Sequence, residues 1–497
     1  MMFNWQDFAQ NSKRFFLSAL CLSVAGVSMS GCSTNPATGN YQFAALMSPE
    51  KENQVGQEEH QKIIKQYGLY EDEALQAYVS GIGARVTKQT ERPDITYKFY
   101  IIDSPIVNAF ALPGGYVYVS RGLLALANSE AELAGVLAHE VGHITGRHSA
   151  ERYSHSVVTS VGATVLSTVI GNSAASQAIG VGSNLYLSGY SRSQETEADT
   201  LGVRYMAQGG YDPRALSDFL RSLNEDKVLA AGGQKSDPAE SYFSTHPPTP
   251  KRVNKTLADA ANYQLAQPIE GRDTYFRQID GLVYGDSAKQ GFVKKGVFYH
   301  PEIGFAFDVP DDFSLVNQPA QIALKAKKND TVVIFDFARA KEEASAEDAL
   351  AFLRYEWMKD AALENAERLT INGMKAATAT FSGKVNGAAA DIRLVAVSWG
   401  KGQYARFQVA LPKGLPEAEV DALKSLTYSL RRMGDQERNS IQPVRLRIVT
   451  AKAGDRLHNF VKQQAFTEKS EEKFRVLNAL SPDDQLVPGR SYKLVVN

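Results

Sequence analysis

The sequence contains very little cysteine: only Cys21 and Cys32 occur in 497 residues. Cys21 lies in an N-terminal apolar segment that we expect to be removed as a signal peptide. A mature chain with one cysteine has no intramolecular disulfide, which excludes the small disulfide-stabilised folds of many exported proteins. At this length, and with 43% apolar residues, the sequence instead predicts about three globular domains with cores of their own.

An excess of either charge is also missing. The chain has 54 basic and 55 acidic residues and a net charge of −1, so no nucleic-acid partner is predicted.

After residue 32 the longest apolar candidate, Val157 to Ile170, has about 14 residues, against the roughly 20 that a membrane span requires. We predict a helix there and then a loop over the cleft. A buried helix and a lid that touches the membrane both stay open as roles.

The first 32 residues have the pattern of an export signal. An apolar stretch from Phe15 to Met29 runs into Ser30, Gly31 and Cys32, so small residues precede a cysteine. This pattern is typical of a bacterial lipoprotein; it predicts a lipid on Cys32, a polar tether over 33–47 and a periplasmic protein. Ser33, which is not aspartate, resembles the outer-membrane sorting pattern. A plain secretory signal with an incidental cysteine is the alternative.

Histidine is scarce as well, with eight in the chain, yet two occur four residues apart in His139-Glu140-Val141-Gly142-His143. Ser129 and Glu132 form a capping-box pattern, and apolar residues recur at helical spacing after them, which predicts a helix. Positions four apart share one helix face, so both imidazoles can bind one metal ion while Glu140 reaches a water beside it. This HExxH geometry is typical of a zinc hydrolase. The alternative is an ordinary buried helix that carries two histidines by chance.

A second helix can supply a third ligand. Glu195 and Asp199 are four apart in the segment Ser191–Asp199 and therefore share a face. Glu195 can bind the same metal ion, and Asp199 can accept a hydrogen bond from a ligating imidazole and fix its orientation. Glu197 is expected to point elsewhere. Without the HExxH, the helix dipole and solvation alone would explain this acidic helix start.

A later segment, Ser244–Arg252, is stiffened by three prolines and contains a further histidine. His246 can face the metal as another ligand, or donate a hydrogen bond to the oxyanion of the reaction. Arg252 opens a helix and is expected to help organise the cleft. His148 and His155 are expected to be exposed; the alternative is that they contact a metal-ligating residue from behind.

The segment Val107–Ser120 predicts a strand beside the site. Pro113-Gly114-Gly115 is a turn pattern, and Tyr116–Ser120 is rich in β-prone residues. Since this strand directly precedes the metal helix, we predict an edge strand that pairs with the backbone of an extended peptide. The alternative is an ordinary hairpin of the core, and a core hairpin can also have an edge that binds a peptide.

These motifs together resemble peptidase family M48, the zinc metallopeptidases that include the CAAX prenyl protease, HtpX and periplasmic BepA types. The resemblance lies in NAFALPGGYVYVSRGLL, HEVGH, ETEAD and STHPPTPKR, and it covers roughly residues 45 to 260. It implies a mainly helical zincin-type metalloprotease domain with a small edge β-sheet and one Zn²⁺ per chain. By position, the zinc ligands would be His139, His143 and Glu195.

The resemblance also implies roles for three further residues. Glu140 would be the catalytic base, and Asp199 would act in catalysis, often as a proton donor. His246 would be a switch that can occupy the open coordination position of the zinc. The chain departs from the family in two ways: it has neither the membrane spans of the CAAX and HtpX types nor, after residue 260, the tetratricopeptide repeats of the BepA type. Substrate delivery is therefore expected to differ.

The rest of the sequence predicts two further domains, so that the overall fold class is α+β, with the peptidase domain at 48–262. A linker is expected at 263–295, with two strands around Tyr275 to Tyr284. Alternating strands and amphipathic helices predict an α+β accessory domain at 296–436 that weakly resembles PsbP/Mog1-like domains. Residues 443–497 have the order strand, helix, helix, strand and resemble a LysM-type module. That module is either a peptidoglycan binder or a packing or protein-binding unit.

The site motifs and the export signal together predict a periplasmic, lipid-anchored zinc metalloendopeptidase. Its expected substrates are unfolded, misfolded or misassembled envelope polypeptides, because a strand-pairing cleft selects extended backbone. The alternative is a chaperone-like outer-membrane assembly factor with a gated, largely inactive zinc site. A cell-wall hydrolase is a weaker third option, prompted by the LysM-like module, for which peptidoglycan would be the partner.

Overall fold

The computed structural model describes residues 33–44, 46–170, 189–231, 242–247, 249–385, 387–466 and 468–497. The predicted signal peptide, the lipid site Cys32 and the loop predicted after Ile170 lie outside these residues. None of the helices in these ranges combines the length and the apolar character that a bilayer crossing needs.

The described chain begins with a small hairpin and two helices. Strands β1 (Ser33–Thr34) and β2 (Tyr41–Gln42) pair antiparallel, and helices α1 (Pro49–Tyr67) and α2 (Glu73–Val86) follow. Side-chain oxygens cap both helices: Ser48 accepts from a backbone N–H at the start of α1 and Asp72 does so for α2. The hairpin and the two helices thus precede the three-stranded sheet in the chain.

A three-stranded sheet comes next, made of β3 (Lys98–Ile102), β4 (Ala109–Leu112) and β5 (Tyr116–Ser120). The strand order is β3-β5-β4, because β3 pairs parallel with β5 and β4 pairs antiparallel with it. The prediction that Tyr116–Ser120 is an edge strand is therefore wrong. Strand β3 pairs with one side of β5 and β4 pairs with the other. The edge strand beside the metal helix is therefore β4.

The described residues between 121 and 260 form seven helices: α3 (Arg121–Leu126), α4 (Glu130–Thr145), α5 (His148–Ile170), α6 (Arg192–Gln208), α7 (Ala215–Ala231), the short α8 (Tyr242–Thr245) and α9 (Pro250–Ala260). Helix α4 lies at the centre and packs against α6, α7 and β4. Every residue from Ala131 to Thr145 is buried. A helix surrounded on all sides is a core helix, so the HExxH segment lies in the middle of the domain.

The segment predicted as a linker packs into the same core. Helix α10 (Arg272–Ile279) stands where strands were predicted, and its residues Tyr275, Phe276 and Ile279 belong to the buried cluster that contains α4. The prediction of strands is wrong because these apolar residues recur at helical spacing. This stretch is therefore part of the domain's core.

The next unit is an α+β domain, as predicted. Its strands are β6 (Phe292–Lys294), β7 (Val297–His300), β8 (Phe305–Asp308), β9 (Phe313–Gln318), β10 (Gln321–Ala326), β11 (Val332–Arg339), β12 (Glu364–Ile371), β13 (Met374–Val385), β14 (Ala388–Gly400), β15 (Gln403–Pro412) and β16 (Arg431–Arg432). They form a seven-stranded antiparallel sheet in the order β12-β13-β14-β15-β11-β10-β9 and a four-stranded sheet in the order β16-β8-β7-β6. Its helices are α11 (Glu343–Glu347), α12 (Ala349–Ala351, continued by a π-helical turn, Phe352–Trp357), α13 (Glu417–Tyr428) and α14 (Asp435–Ser440).

The C-terminal module has the predicted order of elements: β17 (Arg445–Thr450), α15 (Leu457–Val461), α16 (Ser470–Leu477) and β18 (Ser491–Val496), with the two strands paired antiparallel. Its likeness to LysM stays a prediction. The module packs on the N-terminal domain, because its residues Leu446, Leu477 and Val495 belong to the cluster that contains α4.

A buried lysine fixes this contact. Lys493 of β18 is fully buried, and its Nζ donates to the carbonyl oxygens of Ala125, Leu126 and Ala127 at 2.8, 3.0 and 2.8 Å. Carbonyl groups at a helix C-terminus have no partners within the helix, and three acceptors match the three N–H groups of an ammonium ion. Lys493 therefore caps α3 from a distant part of the chain.

Candidate metal centre

Helix α4 places two imidazoles side by side. Ser129 caps the helix, since its hydroxyl accepts a hydrogen bond from the backbone N–H of Glu132 at 3.1 Å. From this start, the Nε2 atoms of His139 and His143 lie 3.0 Å apart, and both side chains are buried. The two nitrogens therefore point at the same small volume.

Helix α6 adds a carboxylate to this volume. The two helices approach closely because small residues face each other; a Cβ on Gly142 would lie 3.0 Å from the carbonyl oxygen of Ala198. Oε1 of Glu195 consequently lies 3.4 Å from Nε2 of His143, and its Oε2 lies 3.7 Å from Nε2 of His139. The carboxylate of Glu195 thus bridges the two imidazoles.

His246, from the segment after α8, completes the group. Its Nδ1 lies 2.9 Å from Oε1 of Glu195 and 3.2 Å from Nε2 of His139. One ligand atom from each of His139, His143, Glu195 and His246 lies within 4.8 Å of the others, and all four residues are buried. Imidazoles and a carboxylate are donors that zinc binds, and four is its preferred number. The residues present fit a zinc ion.

Arg252 stabilises both carboxylates of α6. Its Nε and Nη2 donate to the two oxygens of Asp199, each at 2.8 Å, and its Nη1 lies 2.7 Å from Oε2 of Glu195. Burial raises the pKa of Glu195, but His246, His143 and Arg252 outweigh burial and hold this pKa well below its usual range. Burial also raises the pKa of Asp199, but Arg252 outweighs this effect and the pKa is lowered. Both carboxyls are therefore ionised acceptors at neutral pH.

Asp199 also contacts the ligand helix. Its Oδ1 lies 3.0 Å from Nδ1 of His139, the ring nitrogen opposite the one that faces the group of four. An imidazole that binds a metal through Nε2 carries its proton on Nδ1, and an acceptor there fixes the tautomer. This distance fits the orienting role predicted for Asp199, and that role and its part in catalysis both stay predictions.

Glu140 lies beside the group and is fully buried. Its Oε1 accepts a hydrogen bond from the Tyr242 hydroxyl at 3.4 Å and lies 3.6 Å from Nε2 of His246. Its Oε2 has no hydrogen-bond partner among the residues that the structure describes. Burial raises the pKa of Glu140. A buried carboxyl with an unpaired oxygen can accept a proton and later release it.

The exposure favoured for His148 is wrong. His148 is buried, and its Nδ1 lies 2.8 Å from Nδ1 of His143, which agrees with the alternative that it lies behind a ligand. Glu197 lies outside the group of four donors, as predicted, and its Oε1 is 3.2 Å from Nε2 of His148. The chain turns at Arg147, which has a left-handed φ of 55°, so α5 does not continue the helical phase of α4 and His148 folds back onto His143. His155 is exposed, as predicted.

Two tyrosines that sequence reasoning missed cover the site. The ring of Tyr190 stacks on His143 with centroids 3.7 Å apart, and the ring of Tyr242 stacks on His246 at 4.4 Å. The backbone N–H of Tyr242 donates to the carbonyl of Val107, just before edge strand β4. Each tyrosine lies close in sequence to a segment that supplies a donor, which is the signal that could have identified it.

Solved structures offer only a weak likeness. Cyanobacterial PsbP from Synechocystis sp. PCC 6803 matches with 13% identity and a TM-score of 0.23, covering 29% of this chain and 91% of that chain. A score this low carries no argument, and the α+β architecture of the middle domain rests on its own strands and helices.

Curated relatives match part of the chain. The mitochondrial metalloendopeptidase OMA1 of Schizosaccharomyces pombe is 32% identical over 212 residues, covering 42% of this chain and 61% of that protein. The beta-barrel assembly-enhancing protease of Yersinia pestis is 30% identical over 242 residues, covering 46% of this chain and 48% of that protein. This chain thus spans between 48% and 61% of the length of these two relatives.

A family model matches a defined segment of the N-terminal domain. Residues 73–259 match the model of peptidase family M48, and this range contains the four donor residues together with Glu140, Asp199 and Arg252. Through residues 73–259 the chain is thus similar to peptidase family M48, a zinc-dependent family whose metal the buried group of four donors fits.

Proposed function

We propose that the protein is a zinc-dependent metalloendopeptidase that hydrolyses peptide bonds of misfolded or misassembled envelope proteins. One observation carries the proposal: four donor atoms converge within 4.8 Å in the core, beside Oε2 of Glu140, which has no hydrogen-bond partner in the described part of the chain. Imidazole and carboxylate donors with a carboxyl beside them are the parts that a hydrolytic zinc site requires.

His139, His143 and Glu195 would hold the zinc. When bound, zinc supplies Lewis-acid chemistry: it polarises the scissile carbonyl and lowers the pKa of a water. Glu140 would accept the proton of the attacking water and pass it to the leaving amine. Burial raises the pKa of Glu140, which favours a carboxyl that keeps the proton between these two steps.

The contacts of Asp199 favour an orienting role over the proton-donor role that the family resemblance implies. Both of its oxygens accept hydrogen bonds from Arg252, and one of them also faces Nδ1 of His139. A carboxylate surrounded by donors in this way accepts protons in hydrogen bonds and has none of its own to give. We therefore assign Asp199 to holding His139 in its ligating orientation.

His246 would gate the site. Its imidazole lies against both His139 and Glu195, and its neighbour Tyr242 binds the carbonyl of Val107 at the start of the edge strand. A peptide that pairs with this edge and a water that enters the metal centre would both require the segment 242–247 to move. The same closed arrangement supports the second candidate function, a chaperone-like outer-membrane assembly factor with a largely inactive metal site.

The envelope setting has two supports: the export pattern that ends at Cys32, and a relative named for β-barrel assembly. We place the protein in the periplasm, attached to the outer membrane by a lipid on Cys32, with unfolded or misassembled envelope polypeptides as substrates. For the C-terminal module, the burial of Lys493 against α3 favours a packing role over a peptidoglycan-binding one.

The variant Glu140→Gln tests the proposed base. It should bind one zinc per chain and cleave an unfolded outer-membrane protein about 10²–10⁴-fold more slowly, because an amide cannot accept the proton. Glu58→Gln, which changes an exposed carboxyl on α1, is the matched control and should keep full activity. Cleavage at the parental rate by zinc-loaded Glu140→Gln would exclude Glu140 as the base.

The same variant separates the two candidate functions. In cells that lack this gene and show an envelope defect, Glu140→Gln should fail to restore the envelope if proteolysis is the function. Restoration by a variant that binds zinc but does not cleave would instead support the assembly factor.

A further inference from the structure

A series of buried polar groups supports the imidazole of His143 from behind. Nδ1 of His143 lies 2.8 Å from Nδ1 of His148, and Nε2 of His148 lies 3.2 Å from Oε1 of Glu197. Nδ2 of Asn35 donates to the same Oε1 at 2.6 Å. His143, His148 and Asn35 are at most 3% exposed. We call Asn35, Glu197 and His148 the tether relay, since they connect a proposed zinc ligand to the tether at the start of the chain.

The direction of each hydrogen bond in the tether relay follows from the position of His143. Because Nε2 of His143 faces the other donor atoms, its proton is on Nδ1 and is donated to Nδ1 of His148. His148 then carries its own proton on Nε2 and donates it to Glu197. Gly146 leaves the space for this contact: a Cβ there would lie 2.6 Å from Nε2 of His148 and 3.1 Å from Oε1 of Glu197. With one tautomer of each imidazole, every hydrogen bond of the tether relay has one donor and one acceptor.

The tether relay does for His143 what Asp199 does for His139. Oδ1 of Asp199 contacts Nδ1 of His139 directly, whereas Glu197 reaches Nδ1 of His143 through an intervening imidazole. Groups that accept the second N–H of a ligating histidine set its orientation and raise its basicity. Each imidazole of the HExxH segment therefore has a polar group within 3.0 Å of its Nδ1.

Asn35 is an integral part of the folded tether. Its Oδ1 accepts from the backbone N–H groups of Ala37 and Thr38 at 2.9 and 3.3 Å, and its own N–H donates to the carbonyl of Asn40 at 2.8 Å. Strands β1 and β2 close the same loop. The amide of Asn35 therefore reaches Glu197 only while the loop 33–42 keeps this fold.

We propose that Asn35, Glu197 and His148 are positioning residues of the metal centre, and that the tether must be docked for His143 to keep its ligating orientation. Asn35 lies outside the segment 73–259 that matches the family model, three positions after Cys32. The start of the chain and the order of the metal centre are thus physically linked. The inference rests on the proposed zinc site and is independent of the substrate.

Zinc affinity of the full chain, measured by competition with a chromogenic chelator, tests the tether relay. His148→Ala and Glu197→Gln should weaken zinc binding about 10–100-fold, the effect typical of losing a group that orients a ligand. Asn35→Ala should weaken it by a smaller factor, about 3–10-fold, because Glu197 keeps its bond from His148. His148→Asn should bind more tightly than His148→Ala, because an amide oxygen can still accept from Nδ1 of His143.

Two exposed residues provide matched controls. Asn40→Ala changes the same residue type in the same tether, and His155→Ala changes a histidine on the same helix as His148. Both controls should bind zinc as the parent chain does. In protein loaded with Co²⁺, the visible absorption spectrum should change in the tether-relay variants and not in the controls, because it reports ligand geometry.

The outcomes separate this inference from the proposed function. Thermal unfolding in the presence of chelator identifies folded variants, on which the comparison is made. Parental zinc affinity and a parental cobalt spectrum in folded His148→Ala and Glu197→Gln would overturn the positioning role of the tether relay. The same result in Asn35→Ala alone would overturn the claim that the tether must be docked. A parent chain that binds no zinc would overturn the proposed function itself.

Discussion

Arg252 is the residue on which the charges of the metal centre depend. Its guanidinium contacts both oxygens of Asp199 and one oxygen of Glu195, and it is itself nearly fully buried. Without a cation between them, two ionised carboxylates on one turn of α6 would repel each other. Arg252 therefore lets α6 offer one carboxylate to the metal and another to His139 at the same time.

His246 is the residue for which a substitution should increase activity. His246→Ala removes the fourth donor of the group and should raise cleavage of an unfolded outer-membrane protein several-fold, because a position at the metal becomes open to water. Initial cleavage rates at saturating zinc are the measurement, with His155→Ala, an exposed histidine, as the control. An unchanged or lower rate would show that His246 does not close the site.

His300 should make the stability of the protein depend on pH. Burial lowers its pKa to about 4, whereas a histidine in an unfolded chain has a pKa of about 6.5. The unfolded state therefore binds a proton between these values and the folded state does not, so stability is lost as pH falls from about 6.5 to 4. The loss should be on the order of 2 kcal/mol at pH 5.

The variant His300→Asn should remove this dependence. Its amide oxygen can replace Nδ1, which accepts from the backbone N–H of Ile303 at 3.3 Å. Between pH 7 and pH 5, the midpoint of thermal unfolding should fall less in the variant than in the parent chain. His458→Asn, at an exposed site, should behave as the parent. Equal pH dependence of parent and His300→Asn would contradict the assignment.

Among elements, α1 and α2 give opposite expectations for the same substitution. A Cβ on Gly56 of α1 would overlap the carbonyl oxygen of Pro113, in the turn after β4, whereas a Cβ on Gly81 of α2 meets nothing within 4 Å. Gly56→Ala should therefore lower the free energy of unfolding by about 1–3 kcal/mol, through overpacking. Gly81→Ala should raise it by about 0.5–1 kcal/mol, because alanine favours a helix. Denaturant titrations would measure both, and effects of the same sign would contradict the expectation.

Helical spacing and capping were enough to predict the elements that carry the ligands. Ser129 caps α4 as its capping-box pattern predicts, and Glu195 and Asp199 share a face of α6. Local sequence patterns could not predict features that depend on contacts with distant segments. The position of Tyr116–Ser120 in the middle of the sheet is one of them, because it depends on pairing with β3. The burial of His148 depends on the left-handed turn at Arg147, a conformation that periodicity does not report.

At the scale of the whole molecule, the sequence predicts separate domains, but the last strand is built into the first domain. Lys493→Met should lower the free energy of unfolding by on the order of 3 kcal/mol, because three buried carbonyl groups at the end of α3 lose their donor. Lys462→Met, at an exposed site of the same module, should have little effect. Thermal unfolding and protease sensitivity of the C-terminal module would measure the difference. Equal stability of the two variants would show that Lys493 does not fix the module.

This contact also sets an order of events during biosynthesis. The Nζ of Lys493 and the carbonyl of Ala125 are 368 residues apart in the chain, and contacts between such distant residues form late in folding. Helix α4 is synthesised well before β18, and residues of both share one cluster, so the layer around the HExxH segment is incomplete until β18 has been made and has docked. A chain truncated before β18 would therefore lack part of the layer that encloses the four donor residues.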